Sequence, residues 1–238
     1  LPPVYHVNSV DLDICLFDDH AIVSGTLQMH KKHTGDLILF GQELELLELS
    51  VNGNHLSENV YILNQETLTI KNAPDLATVF TKVRITPQTN TALEGLYQAG
   101  SGDECMFVTQ CEPEGFRKIT FFPDRPDILT TYTTRIEADD KYPTLLANGN
   151  LIDKGKADSG RHFAIWHDPT KKPSYLFACV IGDLQILSDH YTTIEGREVL
   201  LEIYAHNRDI AKCQVAMAAL KDAMHWDEVH YGRAYDLD

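Results

Sequence analysis

The stretch TQCEPEGFRKITFFPDRP, Thr109 to Pro126, carries the side chains best suited to chemistry. Gln110, Glu112 and Glu114 alternate around Pro113, and Gly115 closes the group. Two carboxylates and an amide on one corner can receive a cation, because carboxylates accept charge-assisted hydrogen bonds from ammonium or guanidinium donors. Pro113 stiffens the corner by steering Glu112 toward extended backbone. The same residues also suit an ordinary solvated turn, since carboxylates crowd exposed loops. Residue chemistry alone leaves both readings open. Asp124-Arg125-Pro126-Asp127 reads as a further turn with a surface ion pair, which contributes little.

Eleven histidines raise the question of a metal. HWDEVH, His225 to His230, has the wrong spacing for a helical zinc pair. Ligands at i and i+4 share a helix face, whereas five residues at about 100° each diverge by roughly 140°. His162 and His167 are also five apart, and His30 and His33 three apart, so within a strand each pair faces opposite ways. No metal is therefore expected in this chain, given the geometry zinc demands. No serine-nucleophile elbow, G-x-G-x-x-G or P-loop is present.

The elements that must hold the corner are strands. Val10, Leu12, Ile14 and Leu16 alternate with Asp11, Asp13 and Cys15, and Val23, Gly25, Leu27 and Met29 repeat the pattern. Leu47, Leu49 and Val51 run into the hairpin signal Asn52-Gly53, and Asn148-Gly149 reads as another. Val79 to Ile85 and Tyr132 to Ala138 alternate in the same way. The apolar residues after Gly115 read as a strand starting at Arg117. YLFACVIGDLQIL is nearly continuous and reads as a strand buried on both faces. Short strands separated by Gly, Pro, Asn and Asp imply a mainly β protein, an antiparallel sandwich or saddle. GREVLLEIYA is a last strand. A helix is expected from Asp209 to about His225, capped by Asn207 or Asp209, with Cys213, Met217, Leu220 and Met224 on one stripe.

Composition narrows the partners. At 238 residues and 43% hydrophobic, the chain can bury one large core or two modest ones. Its net charge of −15, from 35 acidic and 20 basic residues, argues against nucleic-acid and anionic-membrane partners. It is mildly compatible with a cationic ligand, and plain solubility accounts for it better. Cys15, Cys105, Cys111, Cys179 and Cys213 are odd in number and lack a C-x-x-C, so free thiols in a reducing, cytoplasmic compartment are expected. LPPVYHVNS shows no secretory leader, and no apolar run reaches membrane-spanning length.

The region from Thr91 to Asn150, TALEGLYQAGSGDECMFVTQCEPEGFRKITFFPDRPDILTTYTTRIEADDKYPTLLANGN, resembles the amino-terminal region of the bacterial aminopeptidase N family of gluzincin zinc aminopeptidases. The likeness continues through GRHFAIWHDPTKKPSYLFACVIGDLQIL and GREVLLEIYA to MHWDEVHYGRAYDLD, and is weaker before Thr91. It implies a β-saddle that covers the active site of a thermolysin-like catalytic domain, which would be its partner. By the same resemblance Glu112 would bind the free α-ammonium of a peptide, and Gln110 would line the pocket for the first side chain. Glu114 receives no role. The family's Gly-x-Met-Glu-Asn, His-Glu-x-x-His and transition-state tyrosine do not occur here. The resemblance thus implies a fragment, residues 1–195 as the saddle and 196–238 as the first strand and helix of the catalytic domain. Zinc would belong to the full-length enzyme, and this chain alone is expected to be inactive. The rival readings are a standalone β-sandwich binding module and an adhesin-like structural domain; the latter is disfavoured by the missing leader and disulfide pattern.

Overall fold

The computed structural model describes residues 2–237. The strands, in order, are β1 (Tyr5–Leu16), β2 (Ala21–Lys31), β3 (Leu37–Phe40), β4 (Glu45–Val51), β5 (Asn54–His55), β6 (Tyr61–Leu63), β7 (Thr67–Ile70), β8 (Leu76–Ile85) and β9 (Gly95–Ala99). They continue with β10 (Met106–Gln110), β11 (Thr130–Asp139), β12 (Thr144–Ala147), β13 (Asn150–Ala157), β14 (Arg161–Lys172), β15 (Cys179–Gly182), β16 (Gln185–Thr192) and β17 (Glu198–Ala205). One α-helix, α1 (Cys213–Tyr231), follows. The protein is mainly β, as the alternation implies. No helix among the described residues is long and apolar enough to cross a membrane.

The chain forms two compact units, Leu1–Gly182 and Asp183–Asp238. In the first, eight strands form one sheet in the order β13-β14-β11-β1-β2-β8-β4-β5. Neighbours run antiparallel except β1 and β11, which pair in parallel from Ser9↔Thr131 to Cys15↔Glu137. A second sheet has the order β12-β15-β10-β9, and a third β3-β7-β6. Every second residue is buried along β8 and β11, along β2 from Ala21 to Met29 and along β1 from Val10, where a bulge at Val7/Ser9 resets the phase, so period-two spacing translates directly into a core face. Phe116, Phe122, Phe177 and Tyr132 meet edge to face or tilted, with Phe116 5.0 Å from Phe122 and 5.1 Å from Phe177. Such pairs add to area burial.

Several local expectations are corrected. The residues after Gly115 do not form a strand: Gly115–Lys118 is a 3₁₀ turn, and the apolar run beyond it touches a strand only at the Phe40↔Phe122 bridge. Leu47 points outward because the register of β4 shifts between Leu46 and Glu48, and a bulge flips the alternation. Asn148-Gly149 does not close a hairpin, since β12 pairs with β15 while β13 pairs with β14. There the Asn148 side chain donates to the Leu176 carbonyl at 3.1 Å and accepts from the Ala178 amide at 2.7 Å. YLFACVIGDLQIL divides into a 3₁₀ turn, buried β15 and the largely exposed start of β16.

The second unit is a hairpin of β16 and β17 with α1. Val199, Leu201 and Met217 form its small core, flanked by Leu187, Tyr191, Ile203 and Met224. Of the expected helical stripe, Met217 is buried and Leu220 is exposed. The helix runs past His225 to Tyr231, where Gly232 in the left-handed conformation donates to the Glu228 carbonyl and ends it. Asp209 precedes a 3₁₀ turn, but its carboxylate pairs with Lys212 and Arg208 instead of a backbone amide. The sequence reading sets a domain boundary at 195/196. The compact units divide before β16, whose ladder is made wholly with β17.

Candidate functional site

β10 lies between β9 and β15, and the corner grows from its carboxyl end. Thr109 ties that end to β15: its hydroxyl accepts from the Cys179 amide at 2.8 Å. Phe107, two residues earlier, is buried and sets the strand's inward face. Cys111 is buried directly after Gln110, while Gln110, Glu112, Pro113 and Glu114 are exposed. The chain therefore leaves the core at Cys111, carries Glu112, Pro113 and Glu114 across the surface, and re-enters at Gly115 and Phe116.

Backbone contacts hold this excursion. The Gly115 amide donates to the Cys111 carbonyl at 2.7 Å. The Gln110 side-chain amide donates to the Glu112 carbonyl at 2.9 Å. The Glu112–Pro113 peptide is cis. Gly115 is packed so closely that a Cβ there would stand 2.8 Å from the Gly95 nitrogen and inside contact with the Gln110 carbonyl oxygen. Phe116 then pins the turn from below within the aromatic cluster.

The two carboxylates have different surroundings. Glu114 pairs with Arg117, Nη1 to Oε2 at 3.2 Å. Arg117 is itself buried: its Nε meets Asp124 Oδ2 at 3.1 Å and its guanidinium stands 4.6 Å from the Phe40 ring centroid. Lys118 pairs with Glu94 at 3.2 Å and Glu43 at 3.7 Å. Glu112 has no ion-pair partner among the described residues. Both nearby cations are thus already matched to acids other than Glu112. Local charge is negative, with Glu43, Glu94, Glu112, Glu114 and Asp124 against Arg117 and Lys118.

The neighbouring thiols lie in surroundings that disfavour the thiolate. Burial, with Cys179 and Asp124 nearby, pushes the Cys111 thiol far above its ordinary value. Burial alone pushes Cys179 up to about 12. Among the described residues no group of three His, Cys, Asp or Glu side chains is arranged to hold a metal ion. Chemically, the corner can offer a cation an exposed carboxylate with no ion-pair partner among the described residues, carried on a backbone held by Gln110 and Gly115.

The structure brings Gln110 and Glu112 together through the amide-to-carbonyl bond, and keeps Glu114 apart on Arg117. Sequence reasoning missed Arg117, Asp124 and Ser174. The Ser174 hydroxyl donates to Asp124, which also receives the Arg117 backbone amide at 3.2 Å. Their only signal in the sequence was an arginine and an aspartate flanking an apolar run. Arg125, in contrast, forms the expected turn pair with Asp127, exposed and bidentate, at 2.8 and 2.7 Å.

Comparison with known proteins adds a family context. A family model described as the peptidase M1 N-terminal domain matches residues 2–176. Aminopeptidase N of Caulobacter vibrioides is 50% identical over 202 residues, covering 85% of this chain and 23% of that relative. Aminopeptidase N of Escherichia coli is 41% identical over 239 residues, covering 99% and 27%. The crystal structure of Legionella pneumophila aminopeptidase A in complex with aspartic acid superposes with a TM-score of 0.91 at 37% identity, covering 100% of this chain and 28% of that one. The chain spans about a quarter of the length of the curated relatives it matches.

Proposed function

Because this chain belongs to the family of peptidase M1 N-terminal domains, we propose that it is the amino-terminal part of a zinc aminopeptidase, and that Glu112 holds the free amino end of its peptide substrate. In this reading residues 1–195 cover the active site. Residues 196–238 open the catalytic domain, which is the partner. Gln110 lines the pocket for the first side chain. Five free cysteines support a reducing, cytoplasmic setting. The observation that carries the proposal is that Glu112 is exposed and unpaired among the described residues, on a corner pinned by Gly115, Phe116 and β10. The Legionella relative, solved with aspartic acid, supports a ligand class bearing a free α-ammonium.

The residues present do not fit a zinc site, since no ligand group converges among those described. Zinc would supply its hydrolytic chemistry from the rest of the enzyme. This chain's own contribution is recognition. At about 4 Å and an effective dielectric near 20, a carboxylate and an ammonium attract by roughly 4 kcal/mol before desolvation. An internal peptide amide in the same place leaves the carboxylate without a partner, at about 1–3 kcal/mol or more. Discrimination comes from both effects. The pinned backbone limits the ordering entropy lost when the ligand arrives.

In the full-length enzyme, Glu112→Ala is expected to lower kcat/KM at least about 100-fold with the metal content unchanged. A loss below about threefold, under 1 kcal/mol, rejects the anchoring role. Binding of free amines by this chain alone as tightly as by the full-length enzyme would favour the standalone binding module.

A further inference from the structure

We propose that Arg117 is a positioning residue for the amine anchor: it immobilises Glu114 and leaves Glu112 as the one uncompensated carboxylate of the corner. The inference rests on the Glu112 reading above. Glu112 and Glu114 are two residues apart and both exposed, so side-chain type gives a cation no reason to choose between them. The difference lies beneath them. Arg117 donates through its backbone amide and Nε to Asp124 Oδ2, at 3.2 and 3.1 Å, and through Nη2 to the Asp124 carbonyl at 3.1 Å. Ser174 donates to the other oxygen of Asp124. The Arg117 carbonyl accepts from the Gln42 amide at 2.9 Å, and the guanidinium lies over Phe40.

This network fixes the arginine in one place. A buried polar network whose members are satisfied rigidifies the groups it joins. Nη1 reaches outward, where it meets Glu114 at 3.2 Å. The contact thereby connects the rigid interior to the surface excursion at its far side, while Gln110 holds the near side through the Glu112 carbonyl. Glu112 sits between the two ties. Glu114 is matched and held, and only Glu112 remains to meet an incoming ammonium.

The test compares Glu112→Ala, Glu114→Ala and Glu114→Gln in the full-length enzyme on a peptide with a free amino end. Glu114→Ala is expected to raise KM about tenfold, within the 100-fold range that an ångström of misplacement produces, with kcat held within about threefold. Its thermal midpoint should move by less than about 4 °C, because the pair is exposed on one side. Glu114→Gln should recover most of the KM loss, because its amide oxygen still accepts from Arg117. A merely structural surface pair would leave KM unmoved. If Glu112→Ala destroys activity and Glu114→Ala changes nothing, the positioning role is overturned and the anchor stands. If Glu112→Ala changes nothing, both fall. If Glu114→Ala is the more damaging variant, the two acids are assigned the wrong way round and the proposal is overturned.

Discussion

Gly115→Ala probes whether the corner is held by close backbone contact. Gly115 lies outside the left-handed region, so an alanine there has no conformational penalty of its own. With open space it would stabilise the protein by about 0.4–1 kcal/mol through the unfolded chain. The space is not open. The added Cβ would stand 2.8 Å from the Gly95 nitrogen and 3.1 Å from the Gln110 carbonyl carbon, both backbone atoms. Ordinary contact needs about 3.5–4 Å, so the start of β9 or the corner must shift by about 1 Å. Overpacking of this kind costs about 1–3 kcal/mol, leaving a net destabilisation of about 1–2 kcal/mol. Urea unfolding should show a lower midpoint with an unchanged slope. In the full-length enzyme KM should rise as well, because the shift falls on the anchor. Gly53→Ala is the control: its φ of +77° costs about 1 kcal/mol, but nothing lies within 4 Å of the new Cβ, and KM should not change. A Gly115→Ala variant as stable as the parent, or more stable, would refute the close-contact reasoning.

Acid stability should depend on Glu137. Burial opposes its charge, but hydrogen bonds from Arg161 at 2.7 Å and Arg135 at 2.5 Å outweigh burial and hold its carboxyl below the usual range. A depressed folded-state value means stability present above the unfolded value near 4.3 and lost as pH falls through the lower one. Glu137→Gln should therefore flatten the acid limb of a plot of urea midpoint against pH, and an unchanged slope would exclude this contribution. The thiols supply a second check. Cys111 and Cys179, buried and pushed upward, should react with a thiol reagent near neutral pH only after unfolding, while the half-buried Cys105 and Cys213 react in the native protein. Native labelling at Cys111 would show that the corner opens.

Much of the first unit was legible because period-two spacing has one physical meaning when a face is buried. Val10 to Leu16 and Tyr132 to Ala138 therefore placed β1 and β11 correctly. That logic fails where burial has another cause. Phe116, Ile119, Phe121 and Phe122 are apolar because they fill the interior from an irregular path, so they imitate a strand. The bulge at Leu47 and the crossing at Asn148-Gly149 depend on partner strands far away in sequence. At the site, the Gln110–Glu112 corner was visible from its residue types and proline. The Arg117–Asp124 pair was not, because no periodic element links positions seven apart on an irregular path.

The central claim concerns a distance. A crystal structure of the full-length enzyme holding an amino acid or peptide with a free amino end should place the ammonium nitrogen about 2.7–3.2 Å from a carboxylate oxygen of Glu112. An ammonium held by other groups, with Glu112 still facing solvent, would contradict the account.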